Sequence, residues 1–347
     1  MNIQEYTIHE SANVLEALEK LNTNPSYTLF VVDSKGKAIG SLTDGDIRRG
    51  FIQGLTLDSP VTSFCHQPFR FLCKDKQSPQ YIQKLKKQNI HLLPFLSEEG
   101  NITHVVDLQH IQNLLPLDAV FMAGGRGERL RPLTDSVPKP LLPLGGKPII
   151  AYNMERIRQY GISKLHLAIR YLGEQIKEYF GNGEAYGLDI SYIEETTPLG
   201  TIGAASLVPG FTHEHVLVMN SDLFTNIDLE EFYFHSVEND SDISVATIPY
   251  NVSVPYAVMQ TNGNRISDFQ EKPTYTYMAN AGIYLIKKSI LESLPKNTRI
   301  DATELLQQML AQGKKITYFP IIGYWIDIGK PEDYKKAQEF VSYLNKI

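Results

Sequence analysis

A short apolar run, Ala119-Val120-Phe121, passes directly into Met122-Ala123-Gly124-Gly125-Arg126-Gly127-Glu128-Arg129-Leu130-Arg131-Pro132-Leu133-Thr134, and no other stretch constrains the chain as much. The apolar run reads as a buried strand. Glycine accepts φ > 0 and has no Cβ to block an anion, so a strand ending in three glycines turns several backbone N–H groups into one concavity. Arg126, Arg129 and Arg131 bring cations over the same spot, as does Lys139 from the following Val137-Pro138-Lys139-Pro140-Leu141. Guanidinium groups fork readily onto phosphate oxygens. The pattern predicts a polyphosphate site built on Ala123, Gly124, Gly125 and Gly127. A glycine-rich turn with solvated charges is the alternative, and it requires all these residues to coincide by chance. No Lys-Ser/Thr follows the glycines, as a P-loop requires, and they are too crowded for a dinucleotide fingerprint.

At 347 residues the chain has room for two domains, and 42% apolar with 21% charged content is ordinary for a globular protein. A net charge of −6 argues against general nucleic-acid binding, so phosphate ligands must be held by local cations. Cys65 and Cys73 are the only cysteines, which suits a reducing compartment, and both read as small core residues. The start, MNIQEYTIHE, has no apolar core of a signal peptide, and no apolar run approaches membrane-spanning length. A cytoplasmic protein with no membrane contact is expected.

The first ~115 residues repeat one series of elements. Ala12–Leu21 reads as a helix, Thr28–Val32 as a strand, Asp33-Ser34-Lys35-Gly36 as a turn and Ala38–Leu42 as a strand. About sixty residues later Pro79–Lys87, His91–Leu96, Glu98–Asn101 and Ile102–Val106 repeat it. This doubled unit resembles a CBS-domain pair, and Gly40-Ser41-Leu42-Thr43-Asp44-Gly45-Asp46 is similar to that family's adenosine-nucleotide motif. The resemblance implies a Thr43 hydroxyl on phosphate and an Asp46 carboxylate on ribose. The second copy has Val106 and Gln109 at the equivalent positions, leaving at most one half-site intact. Thr43 and Asp46 also suit a helix N-cap. Ligand sensing and dimer-building stand level as roles for this front domain.

From Asp118 onward strands and helices alternate as a mainly parallel α/β sheet requires. Strands read at Ala119–Met122, Leu165–Ile169, Ile190–Ile193 and Val216–Met219, with helices at Ile149–Tyr160 and Gly173–Phe180. Ile243–Ile248, Tyr256–Gln260, Ile266–Gln270 and Met278–Ile286 read as inserted or edge strands, and Asp333–Leu344 as a closing helix. In such sheets ligands sit at the carboxyl ends of the strands. Two apolar segments place a lone acid there, Val218-Met219-Asn220-Ser221-Asp222 and Tyr324-Trp325-Ile326-Asp327-Ile328-Gly329. Each acid alone suits a turn or a cap as well as a metal. His213 and His215 have no third ligand nearby and read as surface residues.

The glycine-rich motif with its Pro-Lys-Pro resembles the signature of the sugar-1-phosphate nucleotidyltransferases, and later segments match that family's motifs in order. The resemblance implies a Rossmann-like mainly parallel sheet of the nucleotide-sugar transferase type over 118–347, preceded by a smaller α+β CBS pair over 1–115. It makes Asp222 and Asp327 the Mg²⁺ pair, although Ser221 stands where the family usually has Gly. Phe269-Gln270-Glu271-Lys272-Pro273 looks like the family's Glu-Lys-Pro, with Glu271 on sugar hydroxyls and Lys272 on the sugar phosphate; Asn280 in Asn280-Ala281-Gly282-Ile283-Tyr284 is implied as a second sugar contact.

The block Glu194-Glu195-Thr196-Thr197-Pro198-Leu199-Gly200-Thr201-Ile202-Gly203-Ala204 resembles the base-recognition loop, and Gly200 permits close backbone approach to a planar base. A carboxylate has acceptors and no donor, so Glu195 suits the adjacent N1–H and N2–H₂ of guanine and favours GTP. Recognition by backbone alone, with Glu195 turned to water, is the other reading. The expected enzyme joins GTP to a mannose-, heptose- or hexosamine-type 1-phosphate for surface-glycan synthesis, with release of pyrophosphate. Gly124, Gly125 and Gly127 cradle the triphosphate, Arg129 holds the departing pyrophosphate, and Lys139 and Lys272 neutralise the reacting phosphates. A uridylyl- or thymidylyltransferase, or an inactive nucleotide-sensing homologue, is the alternative. The chain stops at Ile347 after one helix, and no C-terminal β-helix is expected. A homo-oligomer, dimer or higher, is expected from the CBS resemblance, as is an adenosine nucleotide at the pair.

Overall fold

The computed structural model describes residues 2–24 and 26–344 and divides into two compact units, Met1–Leu114 and Leu115–Ile347. In the first unit α1 (Ile3–Tyr6) leads into β1 (Thr7–His9). Asn13 then caps α2 (Val14–Thr23) by accepting the Glu16 N–H at 3.0 Å. Val14, Ala17 and Leu21 recur at helical spacing and are buried. Strands β2 (Thr28–Val32) and β3 (Ala38–Thr43) form an antiparallel hairpin, with β1 parallel to β2. Helix α3 (Asp44–Ile52) follows β3 directly.

The same succession returns as α4 (Pro79–Lys87), capped by Ser78 with proline at its first position, and the antiparallel pair β4 (Leu92–Leu96) and β5 (Ile102–Asp107). Val14, Leu29, Val31 and Leu42 fill one core and Leu72, Ile82, Leu85 and Leu93 the other. Tyr6, Phe30, Leu92 and Val105 pack into a seam joining the two hairpins.

The second unit is built on a seven-stranded sheet in the order β10-β9-β6-β11-β16-β13-β17. Its strands are β6 (Leu117–Met122), β9 (Lys164–Ile169), β10 (Asp189–Glu194), β11 (His215–Asn220), β13 (Ile243–Ser253), β16 (Thr274–Lys287) and β17 (Ile316–Pro320). Short pairs β7 (Pro143–Leu144) with β8 (Lys147–Pro148), β12 (Leu223–Thr225) with β18 (Trp325–Asp327), and β14 (Val258–Asn262) with β15 (Arg265–Gln270) stand outside it. The helices are α5 (Ile149–Gln159), α6 (Gly173–Phe180), α7 (Leu229–Glu238), α8 (Lys288–Ser293), α9 (Ala302–Ala311) and α10 (Pro331–Leu344). Strands β10, β9, β6 and β11 run parallel, and β16 is antiparallel to both of its neighbours. Both faces are covered. Ala119, Phe121, Leu217 and Met219 enter one core, while Val120, Val216 and Val218 enter the other, the alternation a two-sided buried strand requires.

Successive strands after β6 move outward to β9 and β10, and then the chain returns to place β11 on the other side of β6. The order therefore reverses between β6 and β11. At such a switch point the loops leaving neighbouring strands diverge and open a crevice at their carboxyl ends.

Two expectations change. His213 and His215 are half-buried and partnered, not free at the surface: the fully buried Asp118 carboxylate accepts the Thr212 and His213 backbone N–H groups and meets the His213 ring, and His215 lies edge-on to Tyr233. Strands β13 and β16 are longer than their apolar cores suggest. They project beyond the sheet as a two-stranded ribbon, paired out to Ser253 and Thr274, with Tyr250, Val252, Tyr275 and Tyr277 on one face. Among the described residues no helix is long and apolar enough to cross a membrane.

Candidate active site

The glycine loop leaves β6 at the switch point. The Ala123 N–H still pairs with the Ala168 carbonyl of β9 (2.8 Å), and beyond it the backbone turns away from the sheet. Gly127 takes φ +64°, and a Cβ there would come within 3.1 Å of Lys139 Cβ. Its carbonyl accepts from the Thr134 hydroxyl (2.9 Å), which holds the loop against the segment carrying Lys139. That lysine lies on a single 3₁₀ turn between Pro138 and Pro140 and is only 8% exposed. Its ammonium pairs with the carboxylate of Asp222.

Asp222 follows β11, and the Ser221 N–H donates to the Met122 carbonyl at 3.2 Å, stitching the ends of β6 and β11 together. Strand β12 then pairs with β18 so that Leu223 faces Asp327, which brings the second acid beside the first. Burial pushes the Asp327 carboxyl up, and the nearby Asp222 charge pushes it further, against the pull of Lys139 and Arg129. Gly329 leaves room for both Arg129 and Asp327: a Cβ there would lie 3.3 Å from Arg129 Nη2 and 3.4 Å from Asp327 Oδ2. Arg126, Arg129, Lys139 and Asp222 line one cavity of about 470 Å³ beneath the glycines. Arg131 does not join them, because it turns outward to Asp135 at 3.2 Å.

Toward β10 lies a second cavity of about 590 Å³, lined by Gly124, Arg170, Glu195, Pro198, Gly200 and Arg299 among others. Glu195 is 8% exposed, so it does not turn to water. Its Oε2 accepts the Leu199 N–H at 3.0 Å, and burial raises its carboxyl against the pull of that N–H and of Arg170. A Cβ on Gly124 would sit 2.5 Å from Glu195 Oε1, so the missing side chain is what lets the carboxylate reach the loop. Gly200 has φ +80°, and a Cβ there would meet the Ile300 carbonyl oxygen at 2.4 Å. Gly200→Ala is expected to cost about 2 kcal/mol or more, read as a lower melting temperature together with a raised nucleotide KM. Unchanged melting would show that the loop has slack.

A third cavity, about 470 Å³, is lined by Thr201, Asn220, Asn280, Tyr284, Asp301, Trp325 and Asp327 among others. Asn280 Nδ2 donates to the Tyr284 hydroxyl (2.8 Å) while its Oδ1 accepts the Gly282 N–H (2.9 Å), which fixes the amide's orientation. The base loop is tied to the start of α9. Thr201 N–H donates to Asp301 Oδ1 (3.0 Å), and the Thr201 hydroxyl accepts the Ala302 N–H (2.8 Å).

Glu271 and Lys272 are not brought to these cavities. They lie on the turn between β15 and β16, 66% and 69% exposed, with Lys272 at φ +45° and 4.0 Å from Glu271. Asn280 sits near the base of the ribbon and Thr274 at its far end. At about 3.3 Å per residue the strand runs roughly 20 Å between them. The order of motifs along the chain carries no information about that span. In the first unit Thr43 and Asp46 face a cavity of about 950 Å³ together with Arg49, His66, Arg70 and Gln109. Their polar atoms are engaged with each other as a capping box, since Asp46 Oδ2 accepts the Thr43 N–H (2.8 Å) and hydroxyl (2.6 Å). The N-cap reading therefore holds at these two positions.

Arg170, Arg299, Asn220, Asp301 and Trp325 line the cavities without having been singled out from the sequence. Asn220 and Trp325 lay within segments already noted. The others are single residues whose position shows only once the strands are registered. Among the described residues no cluster of three or more His, Cys, Asp or Glu could hold a metal by itself. A metal at Asp222 and Asp327 would take its remaining oxygens from substrate and water.

Comparison with known proteins gives matches over both units. Residues 118–343 match the nucleotidyl transferase family and residues 1–52 the CBS domain. The chain is 33% identical over 227 residues to the mannose-1-phosphate guanylyltransferase of Mycobacterium tuberculosis, covering 64% of this chain and 63% of that protein. It is likewise 33% identical over 227 residues to the D-glycero-alpha-D-manno-heptose 1-phosphate guanylyltransferase of Aneurinibacillus thermoaerophilus, covering 64% of this chain and 97% of that one. Among solved structures, HddC from Yersinia pseudotuberculosis complexed with GMP-PN superposes with a TM-score of 0.51 at 26% identity, over 65% of this chain and 99% of that one.

Proposed function

The chain belongs to the nucleotidyl transferase family, and on that premise we propose that it makes a GDP-sugar and pyrophosphate from GTP and a sugar 1-phosphate of the mannose, heptose or hexosamine type. One observation supports this above the rest: Lys139, Asp222, Asp327 and Arg129 meet where β6 and β11 diverge, directly beneath the glycine loop. An oxygen of the sugar phosphate attacks the α-phosphorus in line, a new P–O bond forms, and the bond to the β-phosphate breaks with its electrons leaving on pyrophosphate. No covalent residue is required, because positioning and charge neutralisation supply most of the rate.

The loop amides of Gly124, Gly125 and Gly127 receive the triphosphate, and Arg129 holds the β and γ groups as they depart. Lys139, kept in place by its prolines and by Asp222, carries its charge to the α-phosphate oxygens. Asp222 and Asp327 offer the hard oxygen ligands Mg²⁺ prefers, and a divalent cation would offset both the burial and the Asp222 charge that raise the Asp327 carboxyl. When bound, that ion neutralises the phosphate oxygens around the reacting phosphorus. The sugar fits beside Asn280, Tyr284 and Trp325, and Glu195 accepts from the guanine N1–H and N2–H₂. Glu271 and Lys272 lie outside the lining of these three cavities.

Pyrophosphate release from each of the four nucleoside triphosphates, crossed with a panel of sugar 1-phosphates, tests the assignment. GTP with a mannose-, heptose- or hexosamine-type phosphate is expected to lead. Faster turnover of UTP or dTTP would reassign the base, and no release with any pair would leave a nucleotide sensor.

A further inference from the structure

We infer that Arg170 is a second nucleobase-reading residue, one that grips the O6/N7 edge of guanine while Glu195 takes the N1/N2 edge; this rests on the guanylyltransferase reading above. Arg170 directly follows β9, Glu195 directly follows β10, and Glu194 is paired with Ile169, so the two side chains leave adjacent strands at the same level. On the other side, Met122 pairs with Ala168, and a Cβ on Gly124 would lie 3.4 Å from Arg170 Cβ. Glu195, Arg170 and Gly124 therefore stand side by side along the carboxyl edge of β10, β9 and β6. All three face one cavity.

The Arg170 side chain is half-buried and one of its donors is orphaned. Its Nε is buried and has no partner among the described residues, and none of their carboxylates forms an ion pair with it. Its charge nevertheless pulls on the Glu195 carboxyl, so the two lie near each other without closing a salt bridge. Glu195 is similarly half used: Oε2 accepts from Leu199, while Oε1, beside Gly124, accepts nothing among the described residues. A half-buried guanidinium with an orphaned Nε, beside a carboxylate with one free oxygen, suits a ligand that presents acceptors next to donors. Guanine presents the matching edge, with the O6 and N7 acceptors adjoining the N1–H and N2–H₂ donors. A guanidinium fork fits the first pair and a carboxylate the second. Adenine reverses both the amino group and N1 against this arrangement.

A phosphate role competes, because Arg170 also borders the triphosphate cavity. Strand order argues against it. The reacting centre sits at the end of β11, two strands from β9, or about 10 Å at the usual spacing. Arg126, Arg129 and Lys139 already serve that side.

The test compares kcat/KM and equilibrium binding for GTP, 7-deaza-GTP (no N7) and ITP (no N2 amine) in the full-length wild type, Arg170→Met, Arg170→Lys and Glu195→Gln. The wild type is expected to disfavour both analogues by roughly tenfold. Arg170→Met and Arg170→Lys should bring the GTP to 7-deaza-GTP ratio close to one while leaving the GTP to ITP ratio unchanged. Glu195→Gln should do the reverse. If Arg170 holds phosphate, Arg170→Met will weaken GTP and 7-deaza-GTP equally, and the inference falls while the guanylyltransferase assignment stands. A wild type that binds UTP or dTTP better than GTP overturns both. Melting temperatures check that each variant is folded, and Arg170→Lys preserves the charge should Met perturb packing.

Discussion

Asp222→Asn is expected to lower kcat/KM by about three orders of magnitude while the melting temperature stays within a few degrees of the wild type. The substitution keeps the shape of the side chain and removes one charge at the point where several groups depend on it. The Lys139 ammonium, almost wholly buried, loses its ion-pair partner, and the proposed metal loses one of its two protein carboxylates. Removing one preorganised charge from around the developing charge of a transition state costs about 3–4 kcal/mol, and 1.4 kcal/mol is a factor of ten. Because the affected charge faces the reacting phosphorus, the loss should fall on kcat more than on the nucleotide KM. Turnover near that of the wild type at saturating Mg²⁺ would remove Asp222 from the mechanism.

Lys139→Ala is expected to cost at least as much. The Lys139 stem is held between Pro138 and Pro140 and packs against Gly127, and its ammonium is fixed by Asp222. Removing it leaves Asp222 without its counter-charge and the α-phosphate without its nearest cation. The expected effect is a fall in kcat of about 10³-fold or more, checked by single-turnover formation of the nucleotide-sugar. Arg129→Ala, at the departing end, serves as the comparison. A Lys139→Ala enzyme that differs from wild type only in KM would show that the lysine binds substrate without acting on the bond being broken.

The strand-borne parts of the site could be read from the chain because a strand has a two-residue period and a defined end. Ala119–Met122 and Val216–Met219 each fill both cores by alternation, and the residues just beyond them reach the crevice. Asp327 was legible for the same reason. Glu271 and Lys272 were not, because a sequence motif does not reveal whether the strands beside it fold back or run outward. Here β13 and β16 stay paired all the way to Ser253 and Thr274, and the motif travels with them. Arg170 left no trace because a single arginine after Leu165–Ile169 is unremarkable until Glu194 is seen opposite Ile169. Helices α7 and α9 begin at acids that cap them, Asp228 and Asp301, but Asp301 also takes the Thr201 N–H across a hundred residues of chain. That contact is tertiary, and local pattern cannot supply it.

Thr201 belongs to the walls of two cavities at once, and its hydroxyl and N–H are the bonds that fasten the base loop to the first turn of α9. A substrate that bears on Thr201 from one cavity orders a wall of the other before the second substrate arrives. The consequence is positive cooperativity between unlike ligands: each should raise affinity for the other by the same factor, and cutting the Thr201–Asp301 link should make the two bind independently.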